Sequence, residues 1–363
     1  QVTMKTIRLS TCSDYGVALR VTIALLLLLW MLAVPRGTLQ ASNMAARAEA
    51  LTGMQRLDGD FFSIRAGLYT VTPDKYGASA AIWPTSLALD GAINVARQIH
   101  APADSARVRR IIGSLRQYLG PGGVYHARAV PSRRYTDDNN WIALDLLDAY
   151  SLLHDPSYLS EAEKIFQYLV ASWDSRQGGI YWGDGQTQRP TVSTAPAITI
   201  GLELAQITHQ GYYQTWAARF YTWENQHLRA PNGHYWDHVN GDGTIDRTLR
   251  SYNQGVMIEA NLAYAKLTGQ ARYLAQAQRI ARAANVAFAG RWHQRGDEAA
   301  FDAIYFQAIA QLKAARSNGI SVAPIQDFVR WAWPAAQKPR VQHDQDALLE
   351  QAAFVIAATA LSA

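Results

Sequence analysis

Apolar side chains recur along most of this chain at the spacing of an α-helix. Tyr158, Ala162, Ile165, Phe166 and Leu169 stripe a single face, which predicts a helix with one buried side. Trp141 to Leu153 and Ala197 to Ile207 are instead apolar nearly all round, interrupted mainly by Asp145, Asp148 and Glu203. Helices of that kind are enclosed. Twelve helices are expected, starting near residues 43, 84, 104, 138, 157, 194, 212, 252, 272, 299, 324 and 344, with outer and inner helices alternating.

The segments between them keep a beat. Gly67-Leu68-Tyr69, Gly123-Val124-Tyr125, Gly179-Ile180-Tyr181, Gly233-His234-Tyr235 and Gly290-Arg291-Trp292 each read Gly, any residue, aromatic, with glycines 56, 56, 54 and 57 residues apart. A second marker ends in Tyr158, Tyr213 and Tyr273, whose spacings are 55 and 60. A fixed period of this length means stacked helical hairpins. Six hairpins closing on themselves make an all-α (α/α)6 toroid; left open, the same hairpins make a solenoid scaffold. In a closed ring, the loops before the inner helices converge on one central funnel.

The first forty residues change the picture of charge and location. Lys5, Arg8 and Arg20 precede an uncharged run from Val21 to Val34, then Pro35 and Leu39-Gln40-Ala41. This is a signal-peptide layout, and the run is shorter than the roughly 20 apolar residues a membrane span needs. Residues 1–41 are therefore expected to be a cleaved export segment with translation starting at Met4, and 42–363 a single catalytic domain. The mature protein is expected to be secreted, extracellular or in the cell envelope, without stable membrane insertion and monomeric. The chain's net charge is +5, but Lys5, Arg8, Arg20 and Arg36 against Asp14 supply +3 of it, leaving +2. With no Lys/Arg run besides, a nucleic-acid surface is excluded. Cys12 is the single cysteine and falls in the export segment, so neither thiol chemistry nor a disulfide is expected in the mature domain.

Aromatics, amides and carboxylates dominate the expected funnel: Trp83-Pro84, Tyr135-Thr136-Asp137-Asp138-Asn139-Asn140-Trp141, Ser193-Thr194-Ala195-Pro196 and Tyr252-Asn253-Gln254-Gly255. Such a set suits a neutral sugar, whose hydroxyls meet amides and carboxylates and whose C–H faces meet rings. No phosphate-binding glycine loop is present. Asp before a helix is ordinarily an N-cap. Two carboxylates at one helix start, however, split their pKa values, because the helix dipole favours one anion while repulsion protonates the other. Glycoside hydrolysis uses one of each.

The stretch Tyr135 to Leu144, with Gly178-Gly179-Ile180-Tyr181-Trp182, Tyr252-Asn253-Gln254-Gly255 and Thr268 to Leu274 following in order, resembles glycoside hydrolase family 76, the α-1,6-mannanases, from about Trp83 to Gln351. The resemblance implies an (α/α)6 fold and endo-acting, retaining hydrolysis of α-mannan or manno-oligosaccharides, with Asp137 as nucleophile, Asp138 as acid/base and no cofactor. Expected substrate contacts are Trp83, Tyr135, Asn139, Trp141, Tyr181, Trp182, Thr194, Tyr235, Tyr252, Asn253 and Gln254. Three positions depart from the family's usual pattern: Thr194 in place of Asn, Arg189-Pro190 in place of Lys-Asn, and Asn140 in place of a small residue.

Other signals point elsewhere. Asn240-Gly241-Asp242-Gly243-Thr244-Ile245-Asp246 looks like a calcium loop, but Leu249 stands where a bidentate Glu is required, so a polar turn is expected. His234 and His238 lie in a Gly- and Asn-rich stretch, not on a helix, so they are read as a substrate-facing or solvated loop and no metal site is expected. Asp145 and Asp148 read as hydrogen-bonded helix partners, and Trp331 and Trp333 as packing. Rival functions are a mannosyl transglycosylase of the same fold, a non-catalytic mannan-binding toroid, and an α/α-toroid epimerase or unsaturated glucuronyl hydrolase. An epimerase would need histidines at the inner-helix starts, and the starts named above carry none.

Overall fold

The structure is a computed structural model that describes residues 36–73, 77–315, 319–339 and 346–362. Most of the expected export segment lies outside them, and the expected cleavage point after Ala41 falls within the first described helix. No described helix is long and apolar enough to cross a membrane.

Twelve α-helices are described: α1 (Arg36–Phe61), α2 (Ile82–Ile99), α3 (Pro102–Leu115), α4 (Thr136–Leu153), α5 (Pro156–Ala171), α6 (Thr191–Thr208), α7 (Gly211–His227), α8 (Ser251–Thr268), α9 (Ala271–Ala287), α10 (Gly296–Ala314), α11 (Ala323–Ala336) and α12 (Ala347–Ser362). Within the compact unit Ala46–Ala363, the even-numbered helices form the inner ring: α2 packs on α4, then each on the next, and α12 returns to α2. The ring is therefore closed, and the solenoid alternative is excluded. The last inner helix, α12, packs on the first outer one, α1, where Gln351 Nε2 donates to the Gly53 carbonyl at 2.9 Å.

Patterning explains which helix goes where. On α6 every residue from Thr191 to Leu202 is buried, whereas α5 buries only Tyr158, Ala162, Ile165, Phe166 and Leu169, the stripe read from the sequence. Inner helices also need close approach: a Cβ on Gly255 of α8 would come within 3.0 Å of the Tyr305 Cα on α10.

The two sequence markers occupy opposite rims. Gly67, Gly123, Gly179, Gly233 and Gly290 all lie between an outer helix and the next inner one, and all have positive φ. The aromatic that follows is fully buried in Tyr69, Tyr125 and Tyr235, so each unit turns sharply and then anchors itself. At the other rim, His100, His154, His209 and Gly269 follow inner helices in the left-handed conformation, each N–H closing the last turn.

Rim loops hold the inner-helix starts in place of side-chain caps. The N–H groups of Ile82, Thr136 and Thr191 donate to the carbonyls of Ala127, Trp182 and Asp237, at 3.0, 2.8 and 2.9 Å. Each unit thereby satisfies an orphan donor of the preceding one. Beside this rim, β1 (Arg189–Pro190), β2 (His238–Val239) and β3 (Ile245–Asp246) form an antiparallel sheet, with Pro190 paired to His238 and His238 to Asp246. The turn between the last two strands is closed by Asn240 N–H donating to the Thr244 carbonyl, and Asp242 Oδ1 accepts from the Thr244 amide. Trp331 stacks on His293 and Trp333 on Phe354, both as packing.

Candidate active site

A pocket of about 500 Å³ opens at the rim where the inner helices begin. Its walls include Trp83, Tyr135, Asp137, Asp138, Trp141, Trp182, Gln188, Asp237, His238, Tyr252 and Phe301. The volume is that of a small-ligand site. Aromatic rings supply much of the wall: Tyr135 lies 5.1 Å from Trp182, and Phe301 bridges Trp83 and Tyr252 at 5.7 and 4.5 Å between centroids.

Asp137 and Asp138 stand in the first turn of α4, whose preceding residue, Tyr135, offers no side-chain cap. The buried Thr136 side chain pins this start, with its hydroxyl 2.8 Å from both the Tyr181 carbonyl and Ser193 Oγ. Asp137 is held at both oxygens: Trp182 Nε1 donates to Oδ2 at 2.8 Å, and the Asp138 amide donates to Oδ1 at 2.9 Å. The Asp138 carboxyl has no hydrogen-bond partner among the described residues, and it faces the cavity. Burial raises both groups above the ordinary carboxylate range. At Asp137 the indole and amide donors oppose that rise; at Asp138 the neighbouring Asp137 charge adds to it. One carboxyl is thus favoured as an anion and the other as an acid.

The opposite wall comes from the loop after α7. Asp237 Oδ1 accepts from Tyr252 Oη at 3.2 Å and Asn253 Nδ2 at 3.0 Å, while its Oδ2 lies 3.0 Å from His238 Nδ1. His238 Nε2 is 3.1 Å from Asn240 Oδ1 and 3.2 Å from Gln188 Nε2. Among the described residues no group of three or more His, Cys, Asp or Glu is placed to hold a metal ion.

Of the contacts expected from the sequence, Trp83, Tyr135, Trp141, Trp182 and Tyr252 line the pocket with the Asp pair. Asn139, Tyr181, Thr194, Tyr235, Asn253 and Gln254 do not. Asn139 accepts the Tyr125 N–H at Oδ1 and donates to the Tyr125 and Tyr135 carbonyls. Gln254 clasps both backbone groups of Tyr235 in the same way, and Thr194 Oγ1 accepts the Ile180 N–H. These three are fully buried clamps on rim loops. Asn253 reaches the pocket only through Asp237.

Of the departures from the family pattern, Thr194, Arg189 and Asn140 lie behind the wall, whereas Pro190 is part of it. Arg189 is buried, bonding Asp174, Gln177 and the Asn240 carbonyl, and Asn140 Nδ2 donates to the Val192 and Ser193 carbonyls. Gln188, Pro190, Val192, Phe301 and Ile304 were not anticipated as pocket residues. His238, with its neighbour Asp237, reads in the sequence as part of a substrate-facing or solvated loop, and their position four and five residues after Gly233, close to that of Trp182 three residues after Gly179, could have marked them.

Among solved structures, the chain resembles a glycoside hydrolase family 76 mannosidase of Bacteroides thetaiotaomicron, with TM-score 0.76, 22% identity, and coverage of 88% of this chain and 98% of that one. It also resembles a variant of the α-1,6-mannanase of Salegentibacter sp., inactivated by replacing two aspartates with alanine and bound to α-1,6-mannotetrose. There the TM-score is 0.74 at 20% identity, covering 87% of this chain and 98% of that one. At these identities the likeness is one of fold. In sequence, 31% of the chain aligns at 30% identity with a mannan endo-1,6-alpha-mannosidase of Candida glabrata, spanning 28% of that protein. The match thus covers less than a third of that relative's length. Residues 46–321 match the model for glycosyl hydrolase family 76, and on that match, which covers most of the chain, the protein belongs to glycosyl hydrolase family 76.

Proposed function

We propose that this chain is an endo-acting, retaining α-1,6-mannanase whose nucleophile is Asp137 and whose acid/base is Asp138. The observation that carries this reading is the unequal pair of carboxyls in one aromatic pocket, Asp137 held at both oxygens and Asp138 unpartnered. Asp137 attacks the anomeric carbon of an α-linked mannosyl unit while Asp138 protonates the departing O6 of the next sugar. Asp138 then takes a proton from water, which attacks the glycosyl-enzyme and releases a product with the α-configuration kept. Trp83, Trp141, Trp182 and Tyr252 offer flat faces for sugar C–H surfaces.

The Salegentibacter variant, inactive without two aspartates, supports the assignment of the pair. Thr194, Arg189 and Asn140 lie off the pocket wall and Pro190 alone among the departures reaches it, which weakens the case for a non-catalytic mannan-binding toroid. Lys5, Arg8, Arg20 and the run Val21 to Val34 support export, with residues 42–363 acting as a monomeric domain on cell-wall or envelope mannan.

The test is incubation with unbranched α-1,6-mannan, following oligosaccharides by chromatography and the first anomer by proton NMR. Short α-configured products are expected, and Asp137→Ala should form no glycosyl-enzyme. Products longer than the substrate would assign transglycosylation instead. A first-formed β-anomer would refute retention.

A further inference from the structure

The ring interior does not end at the catalytic pocket. Trp141 and Ile304 line that pocket and also a small cavity of about 50 Å³ beneath it. Asp148, Glu259, Leu144 and Gln307 line this small cavity and a further one of about 500 Å³. Asp148 lies eleven residues beyond Asp137 on the same helix, about 16 Å along it at 1.5 Å per residue. The large cavity is thus at the rim opposite the chemistry.

Carboxyls from four consecutive inner helices face this interior: Asp90 on α2, Asp145 and Asp148 on α4, Glu203 on α6 and Glu259 on α8. Among the described residues, Arg97 and Lys266 are the cations set against these five acids. Arg97 is committed to Asp148 through two hydrogen bonds, of 3.0 and 2.6 Å, and Lys266 is exposed at the mouth. Asp145 is 6% exposed, and its Oδ2 is buried with no partner. Gln307 and Gln311 of α10 reach only Asp90 and Glu259, at 3.2 and 3.3 Å. A buried carboxylate oxygen left without a donor calls for a ligand that supplies one.

We propose that this lower cavity is a second binding site, for a linear polyamine whose ammonium groups pair with Glu203, Glu259 and Asp145. The acids come from four different helices and no three of them, among the described residues, are placed to hold one metal ion, so a single metal ion fits them poorly while separated charges on one chain fit them well. Leu144, Leu262, Ala263 and Leu274 share the wall with the carboxyls and suit the methylene segments. The small cavity admits an ammonium head but no sugar ring. Burial and mutual repulsion raise Asp90 and Glu203 to about 7 and hold Asp145 and Glu259 above the ordinary carboxylate range as well. Arg97 and Lys266 only partly offset this, so the site gains charge as pH rises.

Isothermal titration of the full chain with spermidine at low salt tests this without reference to activity, so its outcome is independent of the mannanase reading. One-to-one binding is expected, strengthening at least tenfold from pH 6 to pH 8 and weakening at least tenfold in Asp145→Asn/Glu259→Gln. Mannan turnover by that variant should be unchanged. Binding that ignores pH, binding that survives the double substitution, or equal affinity for calcium ion would each overturn the proposal. Should the variant not fold, the pH dependence of the unaltered chain decides.

Discussion

Trp182→Phe isolates one hydrogen bond in the proposed mechanism. Its indole N–H donates to Asp137 Oδ2 at 2.8 Å, whereas its carbonyl separately receives the Thr136 N–H that pins the start of α4. Phenylalanine keeps that backbone clamp and a ring beside Tyr135, and removes only the donor. A hydrogen bond to a charged group contributes about 1.5–3 kcal/mol, and one pKa unit corresponds to about 1.36 kcal/mol. Its loss should therefore raise the lower apparent pKa of the Asp137–Asp138 pair by about one to two units.

The sign follows from the role assigned. Asp137 must be ionised to attack, so a higher pKa shifts the acidic limb of kcat/KM to higher pH and leaves the basic limb, set by Asp138, where it was. On manno-oligosaccharides, activity on the acidic side should fall about tenfold or more and converge toward the parent profile above the new pKa. A uniform loss at every pH, with the limb unmoved, would show that Trp182 merely packs, and would refute the view that it sets the ionisation of Asp137.

Three further outcomes are expected. Asn139→Ala should cost about 2–4 kcal/mol in denaturant unfolding, since it strands buried Tyr125 backbone groups, yet leave KM unchanged; a raised KM with unaltered stability would return Asn139 to the substrate. Burial, partly offset by nearby Thr191, raises Glu224 from 4.5 to about 8, and both its oxygens lack partners because the Thr191 hydroxyl donates to the Trp236 carbonyl. The folded chain thus holds a proton that the unfolded chain releases, stability falls from about pH 4.5 to about pH 8, and Glu224→Gln should stabilise at pH 8 but not at pH 4. His154 has φ 55°, so His154→Gly at pH 8 should add about 1 kcal/mol, read as a higher denaturation midpoint; an unchanged midpoint would mean the left-handed residue is unstrained.

The fold was legible because its repeat is a local necessity. Each unit needs a tight turn with positive φ followed by a ring that locks it, and Gly-x-aromatic writes both into three residues. The enclosed and one-sided helices likewise differ in periodicity, which is visible without neighbours. Boundaries were less legible. The starts of α4, α6 and α8 follow Tyr135, Pro190 and Arg250, none of which caps with its side chain. For α4 and α6 the first N–H is satisfied instead by a carbonyl 46 residues away, at Trp182 and Asp237, and no local pattern announces a donor met at that range.

The site divides along the same line. Trp83, Asp137, Val192 and Tyr252 are each the second residue of an inner helix, and all line the pocket. Asn139, Thr194 and Gln254 are each the fourth, and all turn to a rim loop. Amides that bind sugar hydroxyls and amides that clasp a backbone are the same chemistry in a sequence, so residue type, a place at an inner-helix start and the family resemblance together counted Asn139 and Gln254 as substrate contacts. Helix register separates the two groups, and the register depends on where each helix begins, which the distant rim carbonyls set. Phe301 and Trp141, the sixth residues of α10 and α4 and so one turn past a second position, line the pocket as well. On α4 the second, third and sixth residues thus share the pocket, which sets Asp138, with no partner of its own, beside the held Asp137.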